Sequence, residues 1–259
     1  MRRSRLPVLA VLLAVLAAAA LADADVVQKG PVRVSFDGAL RPDTLPRAGT
    51  APVSVAVVAK IAATDGSTPP QLRRISIAIN RHGHFEPRGL PVCRLRQIQP
   101  STTADALAAC RDSLVGEGHF SAKVLFAQQA PFPSEGKVLA FNSSLHGRPA
   151  ILAHVYGTEP IPTSFTLPFE LAPAHGTFGT LLTASLPQVI GDSGYITGLR
   201  LTLGRSFSVH GHERSYLSAG CPAPKGFPGT VFALARASFG FQGARSLTST
   251  VTRSCTARG

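Results

Sequence analysis

Apolar and polar positions alternate with period two through most of the chain. Val32-Arg33-Val34-Ser35-Phe36 alternates strictly. Val53, Val55, Val57, Ala59 and Ile61 line one face of a longer strand, and Ile75, Ile77 and Ile79 line another. The same reading gives strands at 122–127, 138–143, 150–156, 164–171, 177–186, 195–203, 230–239 and 246–253. Gly, Pro, Asn and Asp interrupt nearly every gap, as at Asp65-Gly66, Thr68-Pro69-Pro70 and Gly191-Asp192. About eleven short strands with frequent turn signals predict an all-β, mainly antiparallel sandwich rather than βαβ units.

One segment departs from this pattern. Ser101 to about Val115 reads as a short helix, with Pro100 and the Ser/Thr cluster at its start and Asp105 near the positive end of its dipole. At 100° per residue Ala104, Leu107, Cys110 and Leu114 share a face, and Gly116 and Gly118 are expected to end the helix. A further candidate boundary lies at 128–136, where two prolines and a glycine separate the helix-bearing front half from an all-β back half. One continuous domain over residues 25–259 is the expectation.

The N-terminus carries different information. Arg2, Arg3 and Arg5 precede an uncharged run from Leu6 to Leu21, followed by Ala22-Asp23-Ala24. This is the pattern of a signal peptide spanning residues 1–24, with Ala22 as an alternative cleavage position. Sixteen apolar residues fall short of the roughly 20 needed to span a bilayer, so the expected mature chain has no transmembrane span and is secreted or held in the cell envelope. The charge bears on its partners. Lys and Arg number 26 against 14 Asp and Glu, a net charge of +12. Loss of three Arg and Asp23 with the leader leaves +10. A basic exported protein meets anionic cell-envelope polymers before nucleic acid, so the former are the expected partners and the latter are not.

Cys93, Cys110, Cys221 and Cys255 form an even set, which in an oxidising compartment reads as two disulfides. Pairing the cysteines nearest in sequence gives Cys93–Cys110 and Cys221–Cys255. Cys110, on the inner helix face, would pin the helix to the sheet.

Three constellations are candidates for chemistry. Gly191-Asp192-Ser193-Gly194 resembles the core of the nucleophile motif of chymotrypsin-like serine proteases, over four residues. The resemblance implies Ser193 as nucleophile and the amides of Gly191 and Ser193 as an oxyanion hole, with Ala153-His154 the nearest candidate for the base. The chain departs from that pattern at Tyr195-Ile196, where the family has Gly and Pro, and no Cys adjoins His154. A tight turn accounts for Gly-Asp-Ser-Gly equally well. His82-Gly83-His84 and His210-Gly211-His212 are each followed by a cysteine eleven residues after the first histidine. Residues i and i+2 of a strand share a face, so the four imidazoles, with Glu86 and Glu213, are candidate metal ligands. The competing reading is two polar hairpin ends. Asn142-Ser143-Ser144 has the form of a glycosylation acceptor.

No Gly-rich phosphate loop precedes a helix, and no Trp is present to stack sugars. The sequence therefore predicts a secreted, non-catalytic structural or binding module that needs no cofactor. A hydrolase using Ser193 and a histidine-based metal binder stand as alternatives.

Overall fold

A computed structural model describes residues 24–186 and 194–259. The described strands are β1 (Asp25–Lys29), β2 (Val32–Arg41), β3 (Thr44–Pro46), β4 (Ala51–Pro52), β5 (Ser54–Ala63), β6 (Leu72–Asn80), β7 (Gly83–Phe85), β8 (Leu114–Val124) and β9 (Phe132–Leu145). They continue with β10 (Arg148–Gly157), β11 (Thr163–Pro173), β12 (Phe178–Ser185), β13 (Gly194–Leu203), β14 (Ser206–Val209), β15 (His212–Ser215), β16 (Leu217–Ala219), β17 (Gly229–Phe241) and β18 (Ser246–Arg258). One helix, α1 (Thr103–Cys110), interrupts them.

Thirteen strands form a single sheet in the order β1-β2-β5-β13-β8-β9-β10-β11-β12-β6-β17-β18-β3. Every pairing is antiparallel except β18 with β3. So wide a sheet must curl, and here it folds back until its first strands meet its last. The Asp25 carboxylate on β1 accepts hydrogen bonds from Ser249 Oγ (2.6 Å) and the Thr250 amide (2.8 Å) on β18. Asp37 of β2 forms an ion pair with Arg253 of β18. Phe36 and Phe239 meet edge to face across the interior, ring centres 6.0 Å apart.

Alternation sorts the side chains. Val32, Val34, Phe36 and Leu40 of β2 face the buried interior, as do Ile151 and Val155 of β10. Both halves of the curled sheet supply this core, so the molecule has the two-layer arrangement of a sandwich made from one sheet. Val124 of β8 pairs with Phe132 of β9, so the segment at 128–136 links neighbouring strands of that sheet. No helix among the described residues is long and apolar enough to cross a membrane.

The structure corrects the sequence reading in several places. Eighteen strands are described rather than about eleven, because two- to five-residue edge strands carry too little periodicity to detect. The strand expected at 122–127 runs instead from Leu114 to Val124. Gly116 and Gly118 lie inside it and do not end the helix. Side chains are excluded at both glycines by the neighbouring backbone: a Cβ at Gly118 would fall 1.9 Å from the Arg200 carbonyl oxygen. The helix itself stops at Cys110, and a 3₁₀ turn at Arg111–Ser113 leads into β8.

The helix start follows a capping box. The Asp105 amide donates to Thr102 Oγ1 (3.2 Å), and the Thr102 amide donates back to Asp105 Oδ2 (3.2 Å). The Thr102 hydroxyl, which donates to Asp105 Oδ2 at 2.7 Å, and then the Thr102 amide hold the Asp105 carboxyl below its ordinary pKa. Ala106 and Cys110 are buried and Leu107 half-buried, whereas Ala104 is exposed. The inner face is thus rotated from the predicted one. It packs on the outside of the sheet, over Leu139 and Phe141 of β9 and Leu152 of β10. The Cys93–Cys110 disulfide closes this outer cluster. The Cys221–Cys255 disulfide joins the segment after β16 to β18, next to the Cys221 amide bonded to the Pro46 carbonyl of β3 (2.9 Å).

Candidate functional site

The outer face of β5, β13, β8 and β9 carries a cross-strand row of basic side chains. Arg200 of β13 lies opposite His119 of β8, and His119 lies opposite Lys137 of β9. All three are exposed. They alternate with inward residues such as Leu199, Leu201 and Val138, so their orientation follows from strand period. Directly opposed strand residues are about 5 Å apart at Cβ. This row therefore sets two permanent cations on either side of an imidazole, with no carboxylate in it. In the adjacent row Lys60 of β5 lies opposite Gly198 of β13, which lies opposite Ser121 of β8 and then Glu135 of β9.

A bulge shapes the space between the two rows. The β13–β8 register shifts between Ile196 and Gly198, leaving Thr197 as the extra residue. Bulges bend a strand and re-aim a side chain. Here Thr197 Oγ1 donates to Ser121 Oγ at 3.0 Å. A Cβ at Gly198 would stand 2.7 Å from Ser121 Oγ, so glycine forms a floor that another residue would obstruct. The result is an open depression of about 340 Å³, ringed by Lys60, His119, Ser121, Glu135, Thr197 and Arg200.

Most cations among the described residues have no acidic partner in contact. Among the described residues Arg253 is the one Lys or Arg within 4 Å of a carboxylate. Arg47 and Arg205 serve structure instead. Arg47 donates to the carbonyls of Ala223 (2.8 Å), Pro224 and Phe227 (2.7 Å), and Arg205 to those of Asp112 and Leu114 (2.8 Å each). Lys60, Lys137 and Arg200 are not used in this way. The depression combines two cations, one carboxylate, two hydroxyls and an open floor, and its cations and hydroxyls are suited to hydrogen-bond and screen an anion.

His154 has a different setting. It lies on the outer side of β10 yet is fully buried, roofed by the loop before α1. Its Nε2 is 3.1 Å from the Ser101 carbonyl oxygen, 3.1 Å from Ser101 Oγ and 3.4 Å from Ser164 Oγ. The carbonyl can only accept, so Nε2 carries the proton and Nδ1 holds the lone pair. Nδ1 is buried without a hydrogen-bond partner among the described residues. Burial pushes the imidazole's pKa down, against an opposing effect of the Ser101 carbonyl. The Ser101 hydroxyl donates to the Ile98 carbonyl at 2.8 Å. His154 thus tethers the loop to the sheet in neutral form. Ser193 lies outside the described residues.

The two His-Gly-His segments occupy different elements. His84 is on β7, opposite Ser218 of β16; His210 and His212 form the tip of the β14–β15 hairpin. Burial, then the neighbouring Arg81 and His84, lower the pKa of His82. Among the described residues no three His, Cys, Asp or Glu side chains come together to hold a metal ion. The four histidines therefore do not build the site that their spacing allowed, because strands β7 and β14–β15 belong to separate small sheets. Asn142 is buried, its amide donating to the Pro91 carbonyl (3.1 Å), which argues against its use as a glycan acceptor in the folded protein.

Sequence reasoning missed Lys60, His119, Ser121, Lys137, Thr197 and Arg200. Each is an isolated polar residue in a strand pattern, a signal of exposure alone. No known protein family, curated protein or solved structure matches the chain.

Proposed function

We propose that the protein is an exported, non-catalytic binding module that holds an anionic envelope polymer on the outer face of β5, β13, β8 and β9. The observation that carries this reading is the unpaired row Arg200–His119–Lys137, flanked by Lys60 around the Gly198 floor. Arg200 and Lys137 flank His119 with no carboxylate in contact, so an anionic partner can supply the counter-charge. The excess of Lys and Arg, which persists after loss of the leader, supports the same reading. The two disulfides and the leader-like N-terminus support export.

A polymer with regularly spaced phosphates is the fitting class, because each phosphate can accept from lysine, arginine and hydroxyl donors together. The test is binding of purified poly(glycerol phosphate) to the disulfide-bonded protein and to the variant Lys60→Gln/Arg200→Gln. The expected result is saturable binding, weakened about tenfold or more in the variant, with unchanged thermal unfolding. Equal binding by both proteins, or none by either, would refute the proposal.

A further inference from the structure

The interior of the curled sheet contains a second, chemically opposite space. Ten strands line a cavity of about 130 Å³, and every lining residue is Ala, Val, Ile, Leu, Phe or Gly. Several of its walls, among them Ile75, Ile77, Phe165, Phe169 and Leu201, point inward yet are only half-buried. Their accessible surface faces the unfilled space. Small residues help to make the room: Ala59 on β5 lies between Phe36 and Leu199, and Ala153 on β10 lies between Leu167 and Ala140.

Protein interiors are close-packed, and voids larger than a water molecule are few. Water needs two to four polar partners to settle in a cavity, and this lining offers no polar side chain. A void of similar size lined by Leu, Ile and Phe stays dry and takes up benzene, roughly 150 Å³ in that case. Dispersion contacts missing from the walls are restored by a guest of matching shape.

We infer that this cavity is a binding site for a small hydrocarbon group of about six carbons, either a free apolar molecule or the end of an amphiphile's tail. The absence of polar side chains from the lining excludes a guest that brings donors or acceptors into the cavity. The cavity and the outer depression share Ala59, Phe120, Gly198 and Leu199, but apolar uptake and polyanion binding are read separately, so either assignment can fail without the other.

The experiment is thermal unfolding of the disulfide-bonded protein under increasing benzene, with sodium octanoate in a parallel arm. The Ala153→Leu variant, which fills the space, and the milder Ala59→Val are the comparisons. The expected result is a saturable rise of several degrees in Tm with benzene, lost in Ala153→Leu and reduced in Ala59→Val. A matching rise with octanoate assigns the site to an amphiphile's tail; a rise with benzene alone assigns it to a free hydrocarbon. If Ala153→Leu fails to fold, Ala59→Val carries the comparison. No rise with either ligand, or an equal rise in the filled variants, would overturn the inference.

Discussion

At the scale of the residue, His154 shows how burial fixes a protonation state. Its one proton is committed to the Ser101 carbonyl, and Nδ1 faces no acceptor. A second proton would place an unpaired charge in an apolar setting. The folded pKa is therefore below the ordinary value near 6.5. The sign follows from linkage: above about pH 6.5 neither the folded nor the unfolded state is protonated at this site, and stability is fully present. As pH falls below that value the unfolded chain takes up a proton that the folded chain does not, and stability declines until the folded pKa is reached. Urea unfolding at pH 7.5 and pH 5 should show this loss. In His154→Gln, which keeps a donor for the carbonyl, the loss should be smaller by up to about 1.4 kcal/mol per pH unit. The same pH dependence in both proteins would show that another group is responsible. Nothing in the alternation around Ala153-His154-Val155 revealed this role. The sequence places His154 on a face, but its burial depends on a loop that starts some fifty residues earlier.

At the scale of the element, legibility followed periodicity. β5 was expected at 53–61 and spans Ser54–Ala63; β10 was expected at 150–156 and spans Arg148–Gly157. Both carry regular inward apolar residues. The pattern misplaces β8 because Gly116 and Gly118 are strong local signals for a stop. Their actual cause is non-local: the backbone of β13 approaches too closely for side chains. The helix was found through its cap and its cysteine, but its inner face was not, since packing against β9 and β10 sets the rotation. The two disulfides act on different elements. Cys93–Cys110 closes 17 residues around the outer strap, and Cys221–Cys255 closes 34 residues and holds β18 near the sheet's end. In the loop-entropy account the first contributes about 3 kcal/mol and the second about 4 kcal/mol. Denaturant unfolding of the paired variants Cys93→Ser/Cys110→Ser and Cys221→Ser/Cys255→Ser should rank them in that order. The reverse ranking would mean that strain in the folded state, rather than loop length, governs their contributions.

At the scale of the whole molecule, the proposed binding face depends on how one sheet folds onto itself. Period two told which residues face in and which face out. It could not tell that β5, β13, β8 and β9 lie side by side, because these neighbours are drawn from residues 54 to 203. The basic row exists only through that pairing, which is why Lys60, His119, Lys137 and Arg200 read singly as ordinary surface residues. The same curling encloses the apolar interior, so the molecule presents a cationic exterior and a hydrocarbon-lined centre through the alternating residues of the same strands. Long-range electrostatic binding has a signature that packing does not share: it weakens with salt in proportion to the number of cations engaged. The most direct test is the slope of log affinity for poly(glycerol phosphate) against log salt concentration, compared between the natural protein and Lys60→Gln/Arg200→Gln. Binding through this face predicts a steep negative slope that becomes shallower by roughly one for each charge removed, about two in the double variant. An identical slope in the two proteins would place the contact elsewhere and contradict the assignment.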